Sequence, residues 1–420
     1  MLLRRPAIEL WRETDRHIKN AALQASHEGD TMHQNTKAAV CAAVAALSVA
    51  AGAQAQSTTT VYGIADAQFE RVETSGSTNP AQDKPGKYRL SNVSSEFGIK
   101  ASMPLGDGMT GLAQYTTGIN VDNAGGNTSG GMFGNAKDSF VGLAIDNVGT
   151  FKLGRMTAAA RWNSGTADFS PMGAGLQDDQ GMLSGASGQT GLATPFNIRL
   201  DNVLAFESAR FAGLSARAYF SANENKSAAT TANGVALDDK SFSLGLQYVN
   251  GPFDVRLSQE QRNDKGTLNA STDHNTRDRD FRFGLRYALS ADTTLALGYD
   301  RMEFTDANAT GAAKTSLKKT GWVLGAKHNF GKHALYGGYG QGSDIRCTLA
   351  SGAACNGDDT GASNWVLTYN YNFNKQMMLE AFVTQVRNKA RGKYDFDSGG
   401  VGPAAGATAT GSGIGLRYAF

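Results

Sequence analysis

Gly413-Ile414-Gly415-Leu416-Arg417-Tyr418-Ala419-Phe420 closes the chain, alternating apolar with small or polar residues to the final position. With a side-chain period of two, Ile414, Leu416, Tyr418 and Phe420 share one face of a strand, and Gly413, Gly415, Arg417 and Ala419 share the other. A guanidinium in the middle of such a strand fits only if its own face is wet. The segment therefore predicts the closing strand of a membrane β-barrel, with Tyr418 and Phe420 toward lipid and Arg417 toward a lumen.

The same period recurs upstream. Phe242, Leu244, Leu246 and Tyr248 alternate with Ser243, Gly245 and Gln247. Phe281, Phe283, Leu285 and Tyr287 alternate with Arg282, Gly284 and Arg286, and Leu214, Ala216, Ala218 and Phe220 with Ser215, Arg217 and Tyr219. Each run of about ten residues is a weak signal alone and a strong one in series. An Arg at the lipid midplane would cost about 2 to 4 kcal/mol, so the polar sets must face water inside. Sixteen strands are predicted, near 60-72, 90-103, 108-121, 137-147, 150-156, 197-208, 213-223, 240-250, 252-263, 279-289, 293-304, 319-330, 332-342, 364-374, 377-388 and 411-420. Short turns such as Ser290-Ala291-Asp292 and Gly331 alternate with long polar loops, 73-87, 122-136 and 157-196 among them. That asymmetry is the one expected of an all-β, antiparallel transmembrane barrel with short periplasmic turns and long extracellular loops. An even strand number puts both chain ends on the periplasmic side.

The start of the chain predicts the compartment. From Met32, a polar stretch with Lys37 precedes the Ala/Val/Leu-rich run Ala38 to Ala51 and then Ala53-Gln54-Ala55, the order of a secretory signal peptide cleaved after Ala55. Residues 1-31 are charged and aperiodic and read as an over-extended start, 32-55 as the signal peptide, and 56-420 as the barrel. Removing 1-55 takes away six of the 40 Lys/Arg and five of the 38 Asp/Glu, leaving a formal charge near +1. No basic bias toward nucleic acid survives. Fifty-one glycines against 8 prolines suit many short strands joined by turns and polar loops. After the signal no apolar run reaches the roughly 18 residues that a membrane-spanning helix needs. Cys41 falls in the signal; Cys347 and Cys355, eight apart, are expected to form a disulfide closing a small loop in an oxidising compartment.

The longest loop, Thr157 to Phe196, carries Arg161, Trp162, Asp168, Asp178 and Asp179 among many glycines. A loop of that length usually has a function or is disordered. The lumen of a sixteen-stranded barrel is wide enough for an aqueous channel, which a loop folded inward would narrow.

Five further stretches carry a family resemblance: Val61-Tyr62-Gly63-Ile64-Ala65-Asp66; Ser94-Ser95-Glu96-Phe97-Gly98-Ile99-Lys100 followed by Leu105-Gly106-Asp107-Gly108; Phe140-Val141-Gly142-Leu143 with Gly149-Thr150-Phe151-Lys152-Leu153-Gly154-Arg155; Arg199-Leu200-Asp201-Asn202-Val203; and the terminal Gly415 to Phe420. The chain resembles the Gram-negative general porins of the neisserial and beta-proteobacterial branch. That resemblance implies an outer-membrane homotrimer of sixteen-stranded barrels, each with its third loop folded into the lumen as an eyelet, passing small polar solutes and ions by passive diffusion. It also implies contact with outer-membrane lipid and lipopolysaccharide, and delivery by periplasmic chaperones and the barrel-assembly machinery. Glu96 stands where the family usually has Arg, Met103-Pro104 where it commonly has an acidic pair, and Tyr418 where it has His.

A pore discriminates by width, lining charge and hydrogen-bonding groups. Lys100, Arg155 and Arg199 are expected on a basic wall of the eyelet, with Glu96 beside them, and Asp168, Asp178 and Asp179 on the constricting loop. The bland alternative is that Arg155 and Arg199 only hold the loop through ion pairs while the aspartates lie in solvent. Asp66, Arg217, Arg256, Arg282, Arg286, Lys327 and Arg417 are expected to line a solvated lumen, whose basic excess motivates a weak anion preference. Two other readings use the same barrel: a channel specific for one solute, and an adhesin or structural barrel with a blocked lumen. An enzyme is not expected. The part after the signal has only His274, His328 and His333, with neither G-x-S-x-G nor H-E-x-x-H. Gly106-Asp107-Gly108-Met109-Thr110-Gly111 matches G-x-G-x-x-G but falls between two strands, where a hairpin turn is the expected reading. No metal and no cofactor are expected.

Overall fold

Ile414, Leu416, Tyr418 and Phe420 are 50 %, 48 %, 47 % and 49 % exposed, so the apolar face of the last strand is an outer surface. The computed structural model describes residues 57–122, 133–170, 173–184, 196–222, 238–265, 275–397 and 399–420. The expected signal peptide, leader and His274 lie outside the described residues.

Sixteen antiparallel strand positions form one closed sheet. They are β1 (Thr58–Ser75), β2 (Lys87–Asn92 and Glu96–Gly106), β3 (Met109–Ile119), β4 (Phe133–Ala136 and Ser139–Ile145), β5 (Gly149–Thr157), β6 (Arg199–Ser208), β7 (Leu214–Ser221) and β8 (Lys240–Asn250), followed by β9 (Phe253–Asn263), β10 (Thr276–Ala288), β11 (Thr293–Asp306), β12 (Lys314–Phe330), β13 (His333–Gly342 and Arg346–Leu349), β14 (Ala362–Asn372), β15 (Met377–Asn388) and β16 (Thr408–Ala419). β1 closes the barrel against β16, from Ile64 opposite Ala419 to Ser75 opposite Thr408. Gly63 and Phe420 exchange backbone hydrogen bonds of 3.0 Å at that seam. Closure leaves no unpaired edge, which is what a sheet in lipid requires.

Hairpin turns at one end are short because their residues accept left-handed backbone. Gly106, Asp107 and Gly108 all have positive φ (89°, 50°, 72°), which makes the G-x-G-x-x-G match a hairpin turn. Near this end the rings of His328, Phe330, His333, Tyr371 and Phe373 are in contact in succession, stacked at first and edge-on between Tyr371 and Phe373. His333 Nδ1 lies 2.7 Å from the Tyr369 hydroxyl and His328 Nδ1 2.9 Å from Thr293 Oγ1, an arrangement suited to a membrane interface. At the other end β12 and the second segment of β13 run past the barrel wall, with Leu317 opposite Cys347. Cys347 and Cys355 are joined as a disulfide there, with Cα atoms 5.4 Å apart.

The inner wall departs from the expectation of a uniformly wet face. Val323, Val366, Phe382 and Val386 face inward and form an apolar cluster with Phe169, Leu176, Met182 and Leu183 of the long loop after β5 and with Tyr394 and Phe396 of the loop after β15. Two short helices stiffen that first loop, α1 (Ala159–Ser164) and α2 (Gly181–Ser184). Folding the loop into the barrel removes these side chains from water, at roughly 1.5 to 3 kcal/mol for each large one.

Candidate functional site: the loop-lined constriction

The loop between β5 and β6 is held against the wall by inward-facing cations that meet its carbonyls. Arg282 donates from Nη1 to the Ala160 carbonyl at 3.1 Å and also to Ser164 Oγ, and its Nε reaches Asp300 at 2.7 Å. Arg256 Nη1 donates to the Trp162 carbonyl at 3.0 Å; Arg286 donates to those of Gly165, Thr166 and Asp168 at 2.9 to 3.0 Å. Lys319 Nζ donates to the carbonyls of Met182 and Leu183 at 3.0 and 3.2 Å. Among these carbonyls Trp162 lies in the last turn of α1 and Gly165 is its C-cap, where intrahelical partners run out and positive charge is favoured. The Trp162 ring lies between two guanidiniums, Arg217 at 3.7 Å and Arg256 at 4.6 Å from its centroid. Glycines on the wall permit the approach: a Cβ on Gly321 would collide with the Met182 carbonyl, and one on Gly284 with Asn163 Oδ1.

Between loop and wall lies a cavity of about 200 Å³, lined by Glu96, Asp168 and Asp178 and by Lys137, Arg161 and Arg199. Lys137 Nζ donates to Glu96 at 2.8 Å and to the Ser94 carbonyl at 2.6 Å. Arg199 Nε donates to Asp138 at 2.7 Å, and Arg161 Nη1 to the Asn197 carbonyl at 3.0 Å. On the loop, Asp168, Asp178 and Asp179 gather with carboxylate oxygens within 4.8 Å of one another. Burial raises all three pKa values, and mutual repulsion adds to it at Asp178 and Asp179. Asp168, which keeps part of its surface open, is pushed up to about 6 against hydrogen bonds from Ser170; Asp179 rises to about 7, and Asp178 well above the ordinary carboxylate value. Each already accepts protein hydrogen bonds: Asp168 from Ser170, Asp178 from the Gln180 N–H, and Asp179 from Gln180 and Tyr336. The trio therefore resembles carboxyls leaning toward the protonated form more than a metal cage.

Of the residues expected at the eyelet, Glu96, Arg199, Asp168 and Asp178 line this cavity together. Three do not. Lys100 lies four residues further toward the short turn, its ammonium 4.5 Å from the Tyr62 ring centroid. Arg155 lies opposite Ser139, which shares the parity of the exposed Val141, so it faces outward, where it pairs with Asp201 and the Ala136 carbonyl. Asp179 turns behind the loop to the Tyr336 hydroxyl. Among the lumen residues, Arg282 and Asp66 are 1 % and 0 % exposed, so neither is solvated; the loop covers Arg282. Arg217, Arg256 and Arg286 face inward and touch the loop, while Lys327 lies on the inner parity of β12 and Arg417 opposite Asp66. Lys137 was not foreseen, because it sits in the break of β4, where no alternation marks it; the acid-paired Lys137-Asp138 before Ser139 is the only trace.

The sequence matches the Gram-negative porin family over residues 40–391. It is 29 % identical over 280 residues to an outer membrane porin protein of Bordetella pertussis, covering 63 % of this chain and 69 % of that one. It is 26 % identical over 386 residues to outer membrane porin protein 32 of Delftia acidovorans, covering 90 % and 98 %. Among solved structures, an anion-selective porin from Comamonas acidovorans superposes with a TM-score of 0.69 at 22 % identity, over 87 % of this chain and all of that one. OmpF of Salmonella typhi, in complex with daunomycin, gives 0.58 at 16 % identity over 86 % and 97 %.

Proposed function

This chain belongs to the Gram-negative porin family and forms an outer-membrane channel for passive diffusion, and from that premise we propose that the loop-lined constriction gives the channel a weak preference for small anions. The observation that carries the reading is the unequal standing of the two charge sets. Burial moves Asp168 and Asp178 toward neutrality, whereas three basic groups face them: Lys137 and Arg199 are paired with Glu96 and Asp138, and Arg161 meets the Asn197 carbonyl, so positive charge stays in excess. Toward the short-turn end Arg217, Arg286 and Lys327 add positive charge, while Lys152 and Arg256 are matched by Glu207 and Asp254. The Comamonas relative, described as anion-selective, agrees in direction.

Selection of this kind uses lining charge and width and needs no reaction chemistry, so the proposed role is that of a channel and not an enzyme. Assembly as a homotrimer, contact with lipopolysaccharide, chaperone-assisted insertion and removal of residues 32-55 as a signal peptide belong to the same proposal. Planar-bilayer reversal potentials in a KCl gradient test the selectivity. A potential of anion sign is expected at neutral pH; a value near zero, or of cation sign, would reject it.

A further inference from the structure

Away from the constriction, four inward side chains from three parts of the chain form an oxygen-rich cluster. Asp66 and Gln68 come from β1, Glu380 from β15 and Gln177 from the long loop, and none is more than 1 % exposed. Register brings them together. Gln68 and Glu380 both lie opposite Gly415 of β16, and Asp66 lies opposite Arg417. Because Gly415 has no side chain, Gln68 Nε2 reaches across it to Glu380 Oε2 at 3.0 Å, and Gln177 Nε2 meets the same oxygen at 2.6 Å. The Asp66 carboxyl adjoins that of Glu380.

Five oxygens then remain buried without a hydrogen-bond donor: both of Asp66, Glu380 Oε1, and the amide oxygens of Gln68 and Gln177. Stranding carboxylate oxygens in this way is costly. Two adjoining carboxyls face one guanidinium, Arg417, so with both ionised the cluster would carry an excess negative charge. An all-oxygen set of carboxylates and amides, with no His or Cys, suits a hard divalent cation, and Ca²⁺ accepts irregular coordination by six to eight oxygens at about 2.3–2.6 Å. We propose that Asp66, Gln68, Gln177 and Glu380 form a Ca²⁺ site that ties the constricting loop to the β1–β16–β15 wall. The ion would balance the charge, supply the stranded oxygens with a partner, and fix the loop at Gln177.

Isothermal titration of CaCl₂ into the full chain, refolded in detergent free of lipopolysaccharide and stripped with EDTA, tests this. One saturable site per chain is expected, with a thermal midpoint that rises as Ca²⁺ is added. Glu380→Gln and Asp66→Asn should each weaken binding by about tenfold or more. Asp178→Asn, in the other acidic cluster, should leave binding in place. Gln177→Ala, a loop substitution away from the strands, should weaken binding even if the strand variants fold poorly. The proposal is overturned by wild-type protein without saturable binding, by binding that survives Asp66→Asn with Glu380→Gln, or by binding abolished through Asp178→Asn. A thermal midpoint that ignores Ca²⁺ would equally overturn it.

Discussion

Asp168, Asp178 and Asp179 make the charge of the constriction depend on pH. Their ordinary value is 3.8, and burial lifts Asp168 to about 6 and Asp179 to about 7. In the folded chain these acids hold protons that the unfolded chain releases, so their stabilising contribution is complete below the unfolded value and fades as pH rises through the folded ones. Two outcomes are expected. The thermal midpoint should fall between pH 5 and pH 8, as read by the strand circular dichroism signal. Reversal potentials should be more strongly of anion sign at pH 5 than at pH 8, because ionised loop acids attract cations. Asp168→Asn, which removes a carboxyl lining the cavity, should move the pH 8 potential toward anions more than Asp179→Asn, since Asp179 faces Tyr336. Equal shifts would mean that both carboxyls reach the pore.

The constricting loop is an element held by its surroundings. α1 has six residues, too few to persist alone in water, and its Ncap Ala158 provides no side-chain hydrogen bond. Its stability comes from the wall, chiefly from Arg282 bridging Asp300 to the Ala160 carbonyl and the Ser164 hydroxyl. Removing one partner of a buried pair typically costs about 3–5 kcal/mol. Arg282→Met is therefore expected to loosen the loop, seen as proteolysis within 158–198 by a protease that leaves the wild type intact. Gly321→Val should displace the same loop by pushing on the Met182 carbonyl, and single-channel recordings would show altered conductance with the barrel still folded. An unchanged conductance would place the loop's narrow point elsewhere. On the outer face, Leu416→Arg should cost about 2–4 kcal/mol near the bilayer midplane and less toward either interface, measured by unfolding from lipid vesicles.

For the whole molecule, a closed barrel with an inward loop fixes what kind of solute can pass. Vesicles containing the protein should swell with small sugars and fail above a size limit, and sugars of equal size should enter at similar rates. A rate that singles out one sugar would instead indicate a solute-specific channel, and no permeation at any size a blocked barrel. Exposed apolar side chains such as Val141, Leu153, Leu204, Leu244 and Leu367 ring the barrel and would aggregate in water. They are the reason that stability has meaning here only in lipid or detergent.

Strand number, order and facing were legible in the amino-acid sequence because a membrane barrel repeats one local rule. Most strands alternate with period two, and a one-residue error would put Arg282 or Arg417 into lipid. The terminal Ile414 to Phe420 face, the turn at Gly106-Asp107-Gly108 and the alternation of short and long connections all follow from that rule. Partners across the lumen do not. Arg155 has the residue type expected of an eyelet wall yet faces outward, and Lys137 lies where strand parity is broken. Which wall cations meet which loop carbonyls, and why Asp179 turns to Tyr336 while Asp178 meets the cavity, depend on contacts between residues such as Arg256 and Trp162, 94 positions apart, or Tyr336 and Asp179, 157 apart. Periodicity determined the barrel because it acts locally. Tertiary structure decided the constriction, because an irregular loop takes its shape from the surface it packs against.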